Sequence, residues 1–309
     1  MINNIVAVQG DDLQKINLKS DTSIFLAYEA QNKNYKIFYY QPKDLSVINN
    51  KVFAYGNFVK FNYIKKKFFK IIKKKKLELT KSKFILIRQD PPFNLEYIST
   101  TYILDSIKTK VKIVNNPSSI RNISEKLYSV YFSKFMPDTI FSQNIDYIKK
   151  FFLKNKKIIM KPIHGYGGNE IHLIEKKFNK TLVEKFIKKH GHVMFQKFLA
   201  NIKHGDKRVF LINGKICGAI SRVPKKGSFL SNMSKGAVPT LTKLTKKEIK
   251  ISKLIADKLK KNDIYFAGID FIDQKLNGDI NVTSPTGLKT YYDLSKINLA
   301  RVFWKGLKA

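Results

Sequence analysis

The residues best suited to chemistry lie in one stretch near the C-terminal end of the chain, IYFAGIDFIDQKLNGDINVTSPT. Its first half is an apolar run typical of a strand, and Asn277-Gly278 is a strong signal for a hairpin turn. Beyond that turn Asp279 and Asn281 alternate with apolar residues, so they share a face that Asp270 can approach from the partner strand. Two carboxylates and an amide oxygen are ligands that Mg²⁺ accepts beside phosphates. The stretch predicts a magnesium site, although an ordinary hairpin with an acidic face fits the same pattern.

A second candidate site is a glycine-rich segment that follows a strand ending at Lys161. Gly165, Gly167 and Gly168 stand within four residues, at HGYGG. Glycines let backbone N–H groups point at phosphate oxygens with no side chain in the way. Such a loop is a weak signal alone, but with a lysine at the preceding strand end it predicts a phosphate site.

A third candidate is the end of the apolar strand FILIR, which delivers Arg88 and Asp90 within RQDPPF. Ligands of open α/β sheets bind at the carboxyl ends of strands. The two following prolines restrict the backbone and would hold both charges in place. The alternative is a strand end that carries an exposed charge pair.

The elements that must position these residues alternate between strand and helix at the start of the chain. Strands at 4–9 and 35–40 flank a helix that Asp21-Thr22 can cap, which indicates parallel pairing in an α/β domain. No glycine-rich turn follows the first strand, so a dinucleotide fingerprint is missing.

The second half reads as strands, one loop and helices. Ser124 can cap a helix that carries Glu125 and Lys126, and the strand at 193–199 runs into a linker whose backbone could meet an adenine. A predicted hairpin begins at Arg208, turns at Asn213-Gly214 and ends at Arg222, and a mobile loop at 225–239 could close over a substrate. Two helices complete the chain, one from Thr245 to about Lys261 and a final one from Tyr292.

Length and composition bound the class of protein. The 309 residues are 43% hydrophobic, enough for a substantial core in one large or two smaller domains. No apolar run is long enough to cross a bilayer, and the first residues do not read as a secretory signal. Cys217 is the only cysteine, which excludes internal disulfides and suits the cytoplasm.

The net charge of +36 invites a nucleic-acid interpretation, but the residue types argue against specific binding. Only five of the 59 basic residues are arginine, although arginine is the residue that nucleic-acid surfaces favour. Abundant Lys, Ile, Asn, Phe and Tyr together indicate drift in a low-GC genome. The basic run at 65–83 is expected to be a solvated, mobile connection, with a phosphate-binding arm as the alternative.

The order of these parts resembles the bacterial glutathione synthetases of the ATP-grasp superfamily over nearly the whole chain. The resemblance is carried by motifs in series: DTSIFLAYEAQ, RQDPPF, NNPSSIRNISEKLY, the Lys161 loop, GDKRV, SRVP, GID and NVTSPT. Four of the five arginines fall inside these motifs, where bidentate binding of carboxylate and phosphate is the property that lysine lacks.

The resemblance implies an α/β (α+β) fold: a parallel α/β substrate-binding domain at 1–122 and, at 123–309, an ATP-grasp domain of two subdomains. It also implies that ATP phosphorylates γ-glutamylcysteine and that glycine attacks the acyl phosphate, with Mg²⁺ (or Mn²⁺) as cofactor. The ATP-binding residues would be Lys126, Lys161, Gly165, Gly167, Gly168, Gln196, Lys197, Phe198, Leu199 and Asp206. Arg208 and Arg222 would be catalytic, and Asp270, Asp279 and Asn281 would hold the metal. The substrate would meet Arg88, Asp90, Arg222, Asn232, Val282, Thr283 and Ser284.

Three departures from the family pattern stand in the site. Asp279 replaces a glutamate, Leu230 replaces a loop arginine, and Gly236-Ala237 replaces a glycine pair. They leave two alternatives: a related ligase with a different acceptor, or a non-catalytic ATP-binding or nucleic-acid-binding homologue. The resemblance also implies a cytoplasmic homo-oligomer, with no membrane and no specific nucleic acid among its partners.

Overall fold

A computed structural model describes residues 4–18, 20–63 and 68–308. Its strands form three sheets. Of the helices in these ranges, none is both long and apolar enough to span a bilayer.

The first sheet lies in the N-terminal part and is mixed, with three parallel and three antiparallel strand pairings within the described ranges. Its strands are β1 (Ile5–Gln9), β2 (Lys36–Tyr40), β3 (Leu45–Ile48), β4 (Lys51–Phe61), β5 (Phe69–Glu78), β6 (Phe84–Ile87) and β7 (Lys112–Val114). The order is β3-β4-β2-β1-β6-β7, with β5 paired to β4, and β2, β1, β6 and β7 run parallel. The adjacent helices are α1 (Thr22–Asn32), α2 (Leu95–Asp105) and α3 (Pro117–Asn122). Because parallel neighbours end at one edge, the ends of β1 and β6 meet there.

Helix α1 begins where the sequence predicts, because Asp21 Oδ1 accepts the Ile24 N–H at 2.6 Å. It packs against the C-terminal end of the chain, where α7 (Leu288–Ser295) and α8 (Leu299–Gly306) lie. The fully buried Trp304 donates its indole N–H to the Leu26 carbonyl at 2.8 Å. The last helix was expected from Tyr292, so its start is earlier than predicted and it is divided in two.

The expectation of a mobile connection at 65–83 is wrong for Phe69–Glu78. This segment is the edge strand β5, antiparallel to β4. Main-chain hydrogen bonds to β4 hold the strand, although most of its side chains are exposed. The Nζ atoms of Lys74 and Lys76 lie 4.8 and 4.4 Å from the ring centres of Tyr55 and Phe53 on β4. Lysines also protect an edge strand from unwanted pairing. Residues 65–67 lie outside the described ranges.

The second sheet is antiparallel and covers one side of the predicted nucleotide site. Its strands are β8 (Thr139–Ser142), β9 (Ile158–Pro162), β10 (His172–Ile174) and β11 (Val193–Lys197), in the order β10-β9-β11-β8. Helices α4 (Ile145–Asn155) and α5 (Lys180–His190) bury Ile148 and Val183 against it.

The third sheet is also antiparallel. Its strands are β12 (Asp206–Ile212), β13 (Lys215–Val223), β14 (Val238–Leu241), β15 (Phe266–Ile272) and β16 (Lys275–Asn281), in the order β14-β13-β12-β15-β16. Helix α6 (Lys246–Lys261) packs on it and starts with a capping box between Thr245 and Glu248, as the sequence indicates.

Two local predictions in this half are wrong. The β15–β16 hairpin turns at Asp273 and Gln274, both at positive φ, and Asn277-Gly278 lies inside β16, in a bulge opposite Asp270. Gly278 has a positive φ of 87° and lies close to Met194, so a glycine is required at this position. The prediction was wrong only in placing this residue at the hairpin turn. Ser124 caps no α-helix, because its hydroxyl has no partner among the described residues and Leu127–Phe135 is a 3₁₀ helix.

Candidate active site

One cavity of about 960 Å³ lies between the three sheets and joins the three candidate sites. Its wall includes Lys161, Arg222, Asp270 and the glycine-rich loop. Asp90 lines the same cavity beside the end of β6, and Phe198 lines it beside the end of β11. Residues separated by more than a hundred positions in sequence therefore share one space.

Two lysines converge on Asp279. Lys161, 2% exposed at the end of β9, has its Nζ 3.1 Å from the Asn277 carbonyl and 3.8 Å from Asp279. Lys126 Nζ donates to the Gly165 carbonyl at 2.6 Å and lies 3.4 Å from Asp279. Burial lowers the pKa of Lys161, and Asp279 opposes that change. Both lysines are thus aimed at the space in front of the glycine-rich loop, where phosphates would lie.

Two arginines form a buried ionic cluster with two aspartates. Arg208 donates two hydrogen bonds of 2.7 Å to the carboxylate of Asp270. Arg222 donates to Asp206 at 2.8 Å from Nε and through Nη2, and its Nη2 lies 3.0 Å from Asp270. Burial would lower the pKa of Arg222, but the two carboxylates outweigh it and raise that pKa. Both guanidinium groups are therefore fixed in orientation beside the cavity.

Asp270, Asp279 and Asn281 line the cavity from the β15–β16 hairpin, and Asp279 belongs to the bulge of β16 that faces Asp270. Asn281 donates its amide to the Gly268 carbonyl at 3.2 Å, which leaves the amide oxygen as an acceptor. In the part of the chain that the structure describes, no three His, Cys, Asp or Glu side chains form a metal site by themselves. Two carboxylates and one amide oxygen are donors of the kind that Mg²⁺ accepts beside phosphates and water, although both oxygens of Asp270 also pair with Arg208 and Arg222 here.

The loop predicted at 225–239 lies over the cavity and meets the glycine-rich loop. A Cβ at Gly168 would come within 2.3 Å of Asn232 Oδ1, so only glycine allows this contact. Phe229 packs edge-to-face on Phe198 with ring centres 6.2 Å apart. Leu230 also lines the cavity, whereas the end of the predicted loop, from Val238, pairs with β13 as β14.

The predicted adenine linker keeps only part of its backbone free. The N–H groups of Lys197 and Phe198 donate to the carbonyls of Asp138 and Lys157, at 2.8 and 3.0 Å. The Gln196 side chain bonds Lys161 and Thr139. Within the described ranges the Leu199 N–H donates to no backbone carbonyl, so it is a donor that this segment can offer an adenine base.

The third candidate site joins the N-terminal sheet to the turn after β16. Arg88 is 4% exposed and donates to Ser23 Oγ at 3.1 Å and to the Pro285 carbonyl at 2.9 Å. Ser284 donates to the Arg88 carbonyl. Arg88 and Ser284 therefore hold two distant segments together.

Sequence reasoning missed two residues that build this turn. Glu125 Oε1 accepts from the N–H groups of Val282 and Thr283 and from the Thr283 hydroxyl. Asn115 donates to the carbonyls of Phe266 and Val282, both at 2.7 Å. Val282 is fully buried with its N–H and C=O used, so it positions the turn and leaves contact with a ligand to Thr283 and Ser284. The signal available was their place in the motif from Asn115 to Tyr128.

Comparison with known proteins agrees with this layout. The family profile "Prokaryotic glutathione synthetase, N-terminal domain" matches residues 5–121, and "Prokaryotic glutathione synthetase, ATP-grasp domain" matches residues 125–296. The glutathione synthetase of Rhodopseudomonas palustris is 35% identical over 98% of both chains. That of Buchnera aphidicola subsp. Baizongia pistaciae is 34% identical over 96% of this chain and 94% of its own.

Solved structures share the fold at lower identity. The ATP-grasp ligase PsnB, complexed with a precursor variant, Mg and ADP, superposes with a TM-score of 0.65 at 12% identity, covering 99% of this chain and 97% of its own. D-alanyl-alanine synthetase A of Vibrio cholerae gives a TM-score of 0.59 at 13% identity, covering 98% of this chain and 97% of its own. With both domains matched in order, the chain belongs to the prokaryotic glutathione synthetase family and has the ATP-grasp fold.

Proposed function

We propose that the protein is an ATP-dependent carboxylate–amine ligase that joins γ-glutamylcysteine to glycine and releases glutathione, ADP and phosphate. The observation that carries this proposal is the convergence of Lys126, Lys161, Arg208 and Arg222 on one cavity that also reaches Asp90 and Ser284. Such an arrangement neutralises transferring phosphate and holds a carboxylate next to it.

The reaction has two steps. A cysteinyl carboxylate oxygen attacks the γ-phosphorus of ATP, the bond to the β-phosphate oxygen breaks, and ADP leaves. The glycine nitrogen then attacks the acyl carbon, phosphate leaves with the electron pair of the C–O bond, and the amine loses a proton to solvent or phosphate. Positioning and charge stabilisation supply most of the catalysis in phosphoryl transfer.

The residues divide these tasks. Lys161, Lys126 and the loop amides of Gly167 and Gly168 hold the phosphates, with Gly165 fixed by its bonds to Pro162 and Lys126. Gln196, Lys197, Phe198, Leu199 and Asp206 line the nucleotide. Arg208 and Arg222 are already oriented and stabilise charge on the transferring phosphoryl group and the acyl phosphate. The loop around Asn232 excludes water, which would otherwise hydrolyse the acyl phosphate.

Asp270, Asp279 and Asn281 would hold Mg²⁺, which neutralises phosphate charge when bound. Oxygen ligands of this kind also suit Mn²⁺. The dipeptide lies against Asp90, Thr283 and Ser284, and Arg88 and Val282 hold these residues in position. Residues 1–122 form the substrate-binding domain and 123–309 the ATP-grasp domain of a cytoplasmic homo-oligomer with no specific nucleic-acid partner.

The test is phosphate release from ATP and Mg²⁺, with γ-glutamylcysteine and glycine each present or omitted. Release that needs both substrates, with glutathione identified by mass spectrometry, is the expected result. Release that needs the dipeptide but shows no preference for glycine would replace the acceptor. Absence of release, with ATP still bound, would refute the activity.

A further inference from the structure

The ladder of hydrogen bonds between β15 and β16 stops earlier than its register requires. Strand β16 ends at Asn281, although the register of the pair would next place Phe266 opposite Thr283. Instead, the N–H and C=O of Phe266 bond the side chain of Asn115. The Thr283 N–H donates to Glu125 Oε1 at 3.2 Å. Two side chains from outside the hairpin therefore take the bonds that would continue the ladder.

Asn115 binds four backbone groups with one side chain. Its Oδ1 accepts the N–H groups of Tyr265 and Phe266, both at 2.9 Å. Its Nδ2 donates to the carbonyls of Phe266 and Val282, both at 2.7 Å. The side chain is buried, and two donated and two accepted bonds are all that an amide can make. Asn115 therefore joins the start of β15 to the residue that follows β16.

These bonds cross between the two parts of the chain. Asn115 follows β7 and lies in the part that the N-terminal family profile matches, whereas its partners lie in the part that the ATP-grasp profile matches. The turn at 282–284, which these bonds hold, brings Thr283 and Ser284 to the wall of the cavity. The position of this turn therefore depends on a residue at the end of the first sheet.

The proposed metal ligands of the same hairpin are held in another way. Asp270 pairs with its neighbour on β12 inside the third sheet, and Asn281 donates to the carbonyl of its ladder partner at 3.2 Å. Thr283 and Ser284 lie beyond the last pair of the ladder, where side chains from other elements fix the backbone. Loss of the Asn115 bonds should therefore move the turn and leave the metal ligands in place.

We propose that Asn115 is a positioning residue for the dipeptide: it ends the β15–β16 ladder and holds Thr283 and Ser284 where γ-glutamylcysteine binds. The assignment rests on the proposed function. Asn115 is not among the described residues that line the cavity, so it acts through the turn and not by contact with the substrate. A binding site of this kind requires its backbone to stay within about 0.5 Å of the productive position, which buried side-chain bonds can enforce.

Two substitutions at this position separate its bonds. Asn115→Asp keeps an oxygen that accepts from Tyr265 and Phe266, and it places a second oxygen against the carbonyls of Phe266 and Val282. Two facing acceptors repel each other, so the turn moves while the start of β15 stays bonded. Asn115→Ala removes all four bonds.

The matched controls are Asn116→Asp and Asn116→Ala. Asn116 is the next residue, and its Oδ1 accepts the N–H groups of Ser118 and Ser119 at the start of α3. Its Nδ2 lies 3.5 Å from Asp263, so the side-chain bonds given for it in the described structure do not include the turn. These variants reproduce the change in charge and in size one position away.

Steady-state kinetics should separate the substrates. The KM for γ-glutamylcysteine should rise at least ~10-fold in Asn115→Asp and Asn115→Ala, because a displaced turn no longer meets the dipeptide. The KM for ATP and the half-saturating Mg²⁺ concentration should stay within about threefold of wild type, as should all three constants in both Asn116 variants. A dipeptide KM that changes less than about threefold in Asn115→Asp, or equal rises for dipeptide and ATP, would overturn the proposal.

Hydrogen–deuterium exchange measures the turn without catalysis, and the unfolding temperature shows that each variant is folded. In Asn115→Asp, a peptide that covers 282–288 should exchange faster than in wild type, while one that covers 266–272 should be unchanged. Equal exchange of 282–288 in the two proteins would overturn the positioning role. Failure of wild-type protein to make glutathione would instead overturn the proposed function, and the exchange experiment would still decide whether Asn115 holds the turn.

Discussion

Replacing Arg222 by alanine tests whether the ionic cluster both holds the site and does the chemistry. Arg222 is 4% exposed and is the only basic side chain at ion-pair distance from Asp206 within the described ranges. Asp270 keeps Arg208 after the change, but Asp206, 1% exposed, is left as an unpaired buried charge. Loss of one partner of a buried pair costs roughly 3–5 kcal/mol of unfolding free energy.

Activity should fall more steeply than stability alone explains. Removing a charge contact that acts in the transition state lowers kcat by roughly 10²-fold or more. We expect the KM for ATP to change little, since Arg222 is assigned to the transferring phosphoryl group. The assays are urea unfolding and phosphate release with both substrates saturating.

Two variants separate the causes. Adding Asp206→Asn to Arg222→Ala removes the unpaired charge, and should recover about half of the lost stability without recovering kcat. Arg301→Ala is the matched control: its side chain is 72% exposed and pairs with Glu29 at 3.2 Å, so it should cost at most about 1 kcal/mol and leave kcat unchanged. An Arg222→Ala protein within about 1 kcal/mol and tenfold of wild type would refute the reasoning.

Three further changes test the parts around this cluster. Gly168→Ala should raise the ratio of phosphate released to glutathione formed, because its Cβ would displace Asn232 in the loop that excludes water. Gly227→Ala is the control: its φ is similar and no atom lies within 4 Å of its Cβ, so the ratio should not change. Glu125→Ala should lower the unfolding free energy by about 2 kcal/mol and raise the KM for the dipeptide. Glu125→Gln should stay within about 1 kcal/mol of wild type, because it keeps an accepting oxygen. Equal effects of the two variants would contradict the role of Oε1. Asp279→Asn should raise the half-saturating Mg²⁺ concentration at least ~10-fold, and an unchanged Mg²⁺ titration would remove it from the metal site.

Local signals in the sequence were sufficient for elements whose ends are fixed by neighbouring residues. Asp21 and Thr245 both cap the helices that their types predict, because a capping bond spans only three residues. The motifs also identified the family, since each needs only a short run of residues. The strand ends that carry Lys161 and Arg88 followed from apolar runs of ordinary strand length.

Predictions from the sequence were wrong where a residue suits two kinds of local structure, and where strand pairing rather than burial of a face holds a segment. Asn277-Gly278 has the composition of a turn, yet the positive φ that glycine allows is used in a bulge while Asp273 and Gln274 make the turn. The basic strand β5 shows no alternation, because hydrogen bonds to β4 rather than a buried face hold it. Period-two patterns report burial, so a strand exposed on both faces leaves none.

Composition and the order of motifs can be read along the chain, and a helix cap depends on a few neighbouring residues. The sequence by itself therefore determined these features, the family and the residue types of the site. Only the tertiary structure decided which charges meet. Asp11 and Asp90 are neighbours because β1 and β6 are parallel neighbours, and Glu125 supports Val282 and Thr283 across more than 150 positions. The physical reason is that a hydrogen bond or an ion pair depends on distance in space, which chain folding sets and sequence separation does not.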